Sequence, residues 1–163
     1  PLFGLPELPR LDLPATPFRH LHWYRREDAE IFFGRGKDIR DLYQRVASPD
    51  GAPIVLFYGQ SGVGKSSLLA AGLLPRLEQG YRALYARRDQ ALGLSATLDQ
   101  ALGDASDRWL DLEQAAGRPL VVVVDQVEEV FTRPWSGAED ELPAFLDNVT
   151  RIFADPARRR AVA

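Results

Sequence analysis

Pro53-Ile-Val-Leu-Phe-Tyr-Gly-Gln-Ser-Gly-Val-Gly-Lys-Ser-Ser67 is an apolar run that breaks at a glycine and resumes at a lysine. Its first half, Pro53 to Tyr58, is continuous and bounded by glycines, the pattern of a strand buried on both faces of a parallel sheet. The second half fits Gly59-x-x-x-x-Gly64-Lys65-Ser66, the spacing of a phosphate-binding loop placed between a strand and a helix. Glycines let successive backbone N–H groups curl around an anion without Cβ clashes, and the following helix turns its positive end to the same point. Gly59, Gln60, Ser61, Gly62, Val63, Gly64, Lys65, Ser66 and Ser67 are therefore the candidate phosphate contacts. Lys65 is one of only two lysines in a chain whose twenty Lys and Arg residues are otherwise all arginine. An extended ammonium meets phosphate as a point charge, whereas a guanidinium imposes a planar fork, so the choice of lysine here has a chemical reason. The bland alternative, a glycine-rich turn holding Lys-Ser by accident, does not account for the flanking strand and helix.

Outward from this stretch the chain alternates. Upstream, Glu27 to Ile31 reads as a short helical turn, and Asp38 to Val46 has the i, i+3, i+4, i+7 apolar spacing of a helix stopped by Ser48-Pro-Asp-Gly51. Downstream, Leu68, Leu69, Gly72, Leu73 and Leu77 share one helical face, with Pro75 expected to kink or shorten the helix and Gly80 to close it. Tyr81 to Tyr85 reads as a strand, Ser95 to Leu102 as a helix capped by Ser95, and Ser106 to Ala116 as another helix. Leu120 to Asp125 is the most hydrophobic strand. Glu139 to Phe153 closes the pattern as a helix with Leu142, Phe145, Leu146, Val149 and Phe153 inward. Strands alternating with helices predict an α/β fold, a parallel sheet flanked by helices.

Composition limits the function. With 163 residues, 45% of them hydrophobic, the chain can bury one core. A net charge of −3 argues against general nucleic-acid binding, and Arg158-Arg159-Arg160 reads as solvated. The absence of cysteine removes disulfides and thiolate metal sites, fits a reducing cytoplasm, and leaves His20 and His22 unable to build a zinc centre alone. No apolar run approaches a membrane span and no signal peptide is visible, so no membrane partner is expected. Proline recurs through residues 1–17, which read as a linker lying along a surface, leaving residues 18–163 as the domain. Because the sequence starts at Pro1 and holds no methionine, it reads as a processed or excised piece of a longer protein.

A second motif supports the first. Leu120 to Val124 ending in Asp125 fits the hydrophobic strand and terminal acid of Walker B, whose carboxylate helps hold Mg²⁺ from a strand neighbouring the phosphate loop, with Ser66 offering a hydroxyl to the same ion. Glu128 and Glu129 follow within four residues. Either can orient and deprotonate a water; alternatively both merely begin a helix and favour its positive end.

Phe32-Phe33-Gly34-Arg35 with Asp38-Ile39, then GQSGVGKSS, Ala71-Gly-Leu-Leu-Pro75 and Asp125-Gln-Val-Glu-Glu-Val-Phe131 together resemble the novel STAND group, signal-transduction ATPases related to NACHT and NB-ARC ATPases. The resemblance covers about residues 17 to 163, including Pro17-Phe18-Arg19, Trp23-Tyr24 and Glu27-Asp28-Ala29. It implies the P-loop NTPase fold, with Gly59, Gly64, Lys65 and Ser66 on phosphates and metal, Asp125 as the metal acid, and Glu129 as the hydrolytic glutamate, four positions after that acid. It also implies that Ile31 to Arg35, with Phe33, Gly34 and Arg35, line an adenine pocket. Where the family commonly has Gly-Arg-Glu, this chain has Gly34-Arg35-Gly36. Members continue with a strand carrying a sensor arginine, a helical lid and a winged helix; this sequence stops at Ala161-Val-Ala163, which reads as an incomplete nucleotide-binding domain.

The resemblance implies a signalling switch, in prokaryotic defence or regulation, that exchanges ADP for ATP and then homo-oligomerises to activate a fused effector under control of a fused sensor. Slow ATP hydrolysis with Mg²⁺ would accompany it. A different class is a small-molecule kinase or constitutive ATPase. No Leu-Ser-Gly-Gly-Gln stretch precedes Leu120, which argues against a transporter ATPase, and no Asn-Lys-x-Asp guanine reader is present.

Overall fold

The computed structural model describes residues 4–9, 22–103, 109–134, 141–154 and 160–162. Most of the proline-rich segment 1–17, Pro17-Phe18-Arg19, and the helix starts expected at Ser106 and Glu139 lie outside these residues. A 3₁₀ turn, Arg26–Ile31, leads into α1, Gly36–Ala47, and then β1, Ile54–Val55. A continuous helical run follows in three segments, α2 at Lys65–Ser67, a π-helical segment at Leu68–Leu73 and α3 at Leu74–Leu77. Next come β2, Arg82–Arg87, α4, Gly93–Leu102, α5, Trp109–Ala116, and β3, Leu120–Asp125. The short α6, Glu129–Thr132, then α7, Glu141–Phe153, and β4, Arg160–Val162, complete the order.

The four strands form one parallel sheet in the order β1-β4-β3-β2. β2 and β3 run in register over six residues, from Arg82 opposite Leu120 to Arg87 opposite Asp125. Every residue of β3 is buried, as its unbroken Leu-Val-Val-Val-Val run requires of a central parallel strand. Its side chains alternate between two cores. Val121 and Val123 join Ile39, Leu42 and Val46 of α1 and the leucines of the run from Leu68 to Leu77. Leu120, Val122 and Val124 join Leu94, Leu98 and Leu102 of α4, Trp109 of α5, and Phe145 and Ile152 of α7. Helices therefore cover both faces, and the α/β expectation holds. Leu5 packs on the first core.

Several expectations need correction. Pro53 to Tyr58 is not a strand buried on both faces: only Ile54 and Val55 pair, with Ala161 and Val162, while Leu56 is 74% and Tyr58 90% exposed. Among the described residues β1 lies at the edge of the sheet, and its pairing ends where the described part of β4 ends. β4 also lies between β1 and β3, so the strand of Asp125 is not the neighbour of the strand that enters the loop.

The helix after the loop is not one-sided, because residues 67–77 are buried all round. The helical run ends two residues after Pro75, at Leu77. In α geometry the ring of Pro75 would meet a carbonyl one turn back. Here the chain widens into π spacing first, with the N–H of Leu74 donating to the carbonyl of Leu69. The guanidinium of Arg76 donates to the carbonyl of Gly72 at 2.5 Å.

Ser95 does not cap α4; it lies inside a helix that starts at Gly93. The role belongs to Glu141 of α7, whose Oε1 accepts from the N–H of Leu94 at 2.8 Å. The same carboxylate takes two 2.8 Å hydrogen bonds from the buried Arg88 guanidinium, tying α7, α4 and the end of β2 together. Leu146 is 51% exposed, so the inward face of α7 rests on Phe145 and Ile152, with Leu142, Val149 and Phe153 half-buried beside them.

Candidate functional site

The loop Gly59 to Gly64 leaves β1 and reaches the N-terminus of α2. Gly62 (φ 82°) and Gly64 (φ 83°) both lie in the left-handed region, which side chains with a Cβ rarely adopt. Gly64 is the residue immediately before α2 and no side chain caps it, which leaves first-turn N–H groups for another acceptor. Gln60, Ser61, Gly62 and Val63 are exposed, whereas Lys65 and Ser66 are half-buried and Ser67 is buried.

The ammonium of Lys65 folds back over its own loop. It donates to the carbonyls of Gly59 at 2.8 Å and Gln60 at 3.2 Å and lies 3.4 Å from a carboxylate oxygen of Glu128. Glu128 immediately precedes α6, and Glu129 begins it. Glu129 pairs with Arg133 at 3.6 Å rather than with Lys65.

Asp125 ends β3, is 4% exposed, and has both oxygens engaged: Oδ2 accepts from the Tyr85 hydroxyl at 2.6 Å and Oδ1 from the Gln126 N–H at 3.0 Å. Burial first, and then the hydrogen bond and charge of Asp125, push the Tyr85 phenol well above the usual tyrosine range, so it remains a donor. Gln126 takes φ 65°, unusual for a residue with a side chain, and there the chain turns from β3 toward α6. Its Oε1 accepts from Arg87 Nε at 2.6 Å.

Two cavities flank Lys65. One, about 340 Å³, is lined by His22, Trp23 and Tyr24 together with Ser61, Gly62, Gly64, Lys65, Ser66, Ser67, Gln126 and Glu128. The other, about 220 Å³, holds Lys65, Asp125, Gln126 and Glu128 against apolar Leu56, Tyr58 and Phe131. Ser66 thus lines the first cavity and Asp125 the second, with Lys65, Gln126 and Glu128 between them. The loop, Asp125 and Glu128 converge around the Lys65 side chain.

The Phe32 to Arg35 turn divides. Phe32 packs inward against the first core and beside Tyr24, with ring centroids 5.5 Å apart, while Phe33 is 79% exposed. Gly34 takes φ 84°, and Arg35 Nη1 donates to the carbonyl of Val63 at 2.9 Å, fastening this turn to the glycine loop. Trp23 and Tyr24, before the 3₁₀ turn, are part of the family resemblance but were given no role at the site by the sequence, and Tyr85 was given none either. Tyr24 N–H donates to Ser67 Oγ at 3.0 Å, and Trp23 stacks on Tyr85 with centroids 6.1 Å apart. The adjacent aromatics Trp23-Tyr24 beside basic residues were the available signal; nothing in the sequence marked Tyr85.

Among the described residues no group of three or more His, Cys, Asp or Glu side chains could hold a metal. Mg²⁺ needs no such cage, since it commonly uses one or two protein oxygens with the rest from phosphates and water. Asp125, with a lone pair remaining on each bonded oxygen, and the Ser66 hydroxyl, which lines the neighbouring cavity, are each oxygen donors of that kind. Among the described residues no helix is long and apolar enough to cross a membrane.

An α/β chain with this loop and this acid is of the nucleotide-binding NTPase class. The chain matches the family described as Novel STAND NTPase 1 over residues 17–163, and it belongs to that family. At the family level this is a signalling NTPase, which uses a nucleotide and a divalent metal. No curated protein matches the chain, and no solved structure does.

Proposed function

We propose that this chain is the nucleotide-binding core of an ATP-dependent signalling switch with the P-loop NTPase fold, which rests with ADP, exchanges it for ATP and then assembles to activate an attached effector. The observation that carries the reading is the left-handed Gly62 and Gly64 before α2, with Lys65 folded over the loop they shape. The backbone N–H groups of residues 60–66 would hold the phosphates, and Lys65 would exchange its loop carbonyls for β/γ-phosphate oxygens. Ser66 and Asp125 would hold Mg²⁺, which when bound neutralises charge on the phosphates. Phe33, Gly34 and Arg35 would border the adenine. A switch needs contacts that differ between its two states, and the γ-phosphate at Lys65 would supply them.

Glu129, four residues after Asp125, is the proposed general base by its position in the family motif. A second reading is favoured by one contact: Glu128 is the acid that lies 3.4 Å from the Lys65 ammonium, whereas Glu129 pairs with Arg133. Glu129→Gln and Glu128→Gln, each assayed for ATP retention and hydrolysis, separate the two. The base variant should keep ATP bound and slow its turnover.

Titration with labelled ATP tests the site as a whole. Lys65→Ala and Lys65→Arg should both weaken triphosphate binding at least tenfold while the fold survives, the arginine because its fork fits a tight loop poorly. Unchanged affinity in both variants overturns the assignment. Rapid phosphoryl transfer to a small acceptor without assembly would instead indicate a kinase.

A further inference from the structure

We infer that Tyr85 is a positioning residue for Asp125, held in turn by Trp23, so that the segment before the 3₁₀ turn sets how the metal-side acid faces the glycine loop. The inference rests on the reading of Asp125 as the Mg²⁺ acid. Two consecutive residues reach both halves of the site. Tyr24 fastens to Ser67 at the start of the helical run through a 3.0 Å hydrogen bond. Trp23 stacks on Tyr85 at an interplanar angle of 25°, with the guanidinium carbons of Arg25 and Arg87 each 5.6 Å from its ring centroid. Tyr85 then donates to Asp125 Oδ2 at 2.6 Å.

A buried carboxylate accepting from the backbone on one oxygen and from a phenol on the other has its plane fixed. The lone pair left on each oxygen then points in a set direction, toward an ion or an ion-bound water. Without the phenol, only the Gln126 N–H holds the carboxylate, and it can rotate. Partners of this kind, one step removed from a metal, typically change its affinity by 10–100-fold.

The test uses the chain with labelled ADP, titrated with Mg²⁺ and separately in chelator, in the parent and in Tyr85→Phe, Asp125→Asn and the double variant. Tyr85→Phe keeps the ring on Trp23. The expected result is a Mg²⁺ midpoint raised about tenfold or more, unchanged ADP affinity in chelator, and no further shift when Tyr85→Phe is added to Asp125→Asn. Equal weakening with and without Mg²⁺, or loss of a cooperative thermal melt in Tyr85→Phe, would assign Tyr85 to the core and overturn the inference. If Asp125→Asn shifts the midpoint and Tyr85→Phe does not, the inference fails while the metal site stands. If neither shifts it, the metal reading fails and takes the inference with it.

Discussion

Gly64 shows how much a single backbone angle carries. At φ 83° it turns the chain from the loop into the helical run, and a Cβ built there would lie 3.9 Å from the Arg35 guanidinium, so space is not the constraint. The constraint is the left-handed conformation, which costs a residue with a side chain about 1–2 kcal/mol. Gly64→Ala should lower the unfolding free energy by about that amount in urea denaturation, with m unchanged. The residues of the loop are legible in the sequence because their chemistry is local: glycine for the turn, lysine for a cation folded over it. The placing of Tyr85 beside Asp125 and of Tyr24 beside Ser67 is not, because it comes from the meeting of segments far apart in the chain.

The helical run after the loop makes a sharper case at the level of elements. Gly72 sits in its π-helical segment where α1 crosses, and a Cβ there would meet Ile39 Cγ1 at 2.8 Å and Phe32 Cε1 at 3.3 Å. Alanine would gain up to about 1 kcal/mol of helix propensity. Overpacking against the buried Ile39 costs about 1–3 kcal/mol, so Gly72→Ala should be net destabilising, read as a fall in denaturation midpoint. The link between α4 and α7 is stronger. Removing Glu141 leaves the buried Arg88 charge uncompensated, and Glu141→Ala should cost about 3–5 kcal/mol. An Arg88→Met, Glu141→Leu double variant should recover part of that loss, the remainder being the cap that Leu94 N–H loses, checked by the same denaturation. Sequence periodicity located α1, α4 and α7, yet it assigned the cap of α4 to Ser95. Cap preference is a local rule, and the carboxylate that satisfies Leu94 arrives from 47 residues away.

For the whole molecule, two tyrosines packed on the first core resist ionisation. Burial pushes the Tyr43 phenol up, and burial with the Asp125 hydrogen bond pushes Tyr85 further. A group whose folded pKa exceeds its unfolded value of about 10 binds its proton more tightly when folded. Its stabilisation is complete below about pH 10 and is lost as pH rises through the folded value. Melting temperature should therefore fall above about pH 10, and Tyr85→Phe should make that fall shallower. The alternation of strands and helices made the α/β class readable, since hydrophobic period is a property of each segment. Strand order was not: nothing in residues 160–162 says they insert between β1 and β3, and that insertion leaves β1 at the edge, with Leu56 and Tyr58 exposed.

That edge bears on how the protein behaves when concentrated. Among the described residues strand pairing of β1 stops at Val55, and exposed Leu56, Tyr58 and Phe131 lie beside that end, a surface on which another extended chain can add. Such pairing is bimolecular, so its rate grows with the square of concentration, and a net charge of only −3 offers little mutual repulsion. Leu56→Lys, facing solvent at this edge, would raise the concentration at which light scattering first appears.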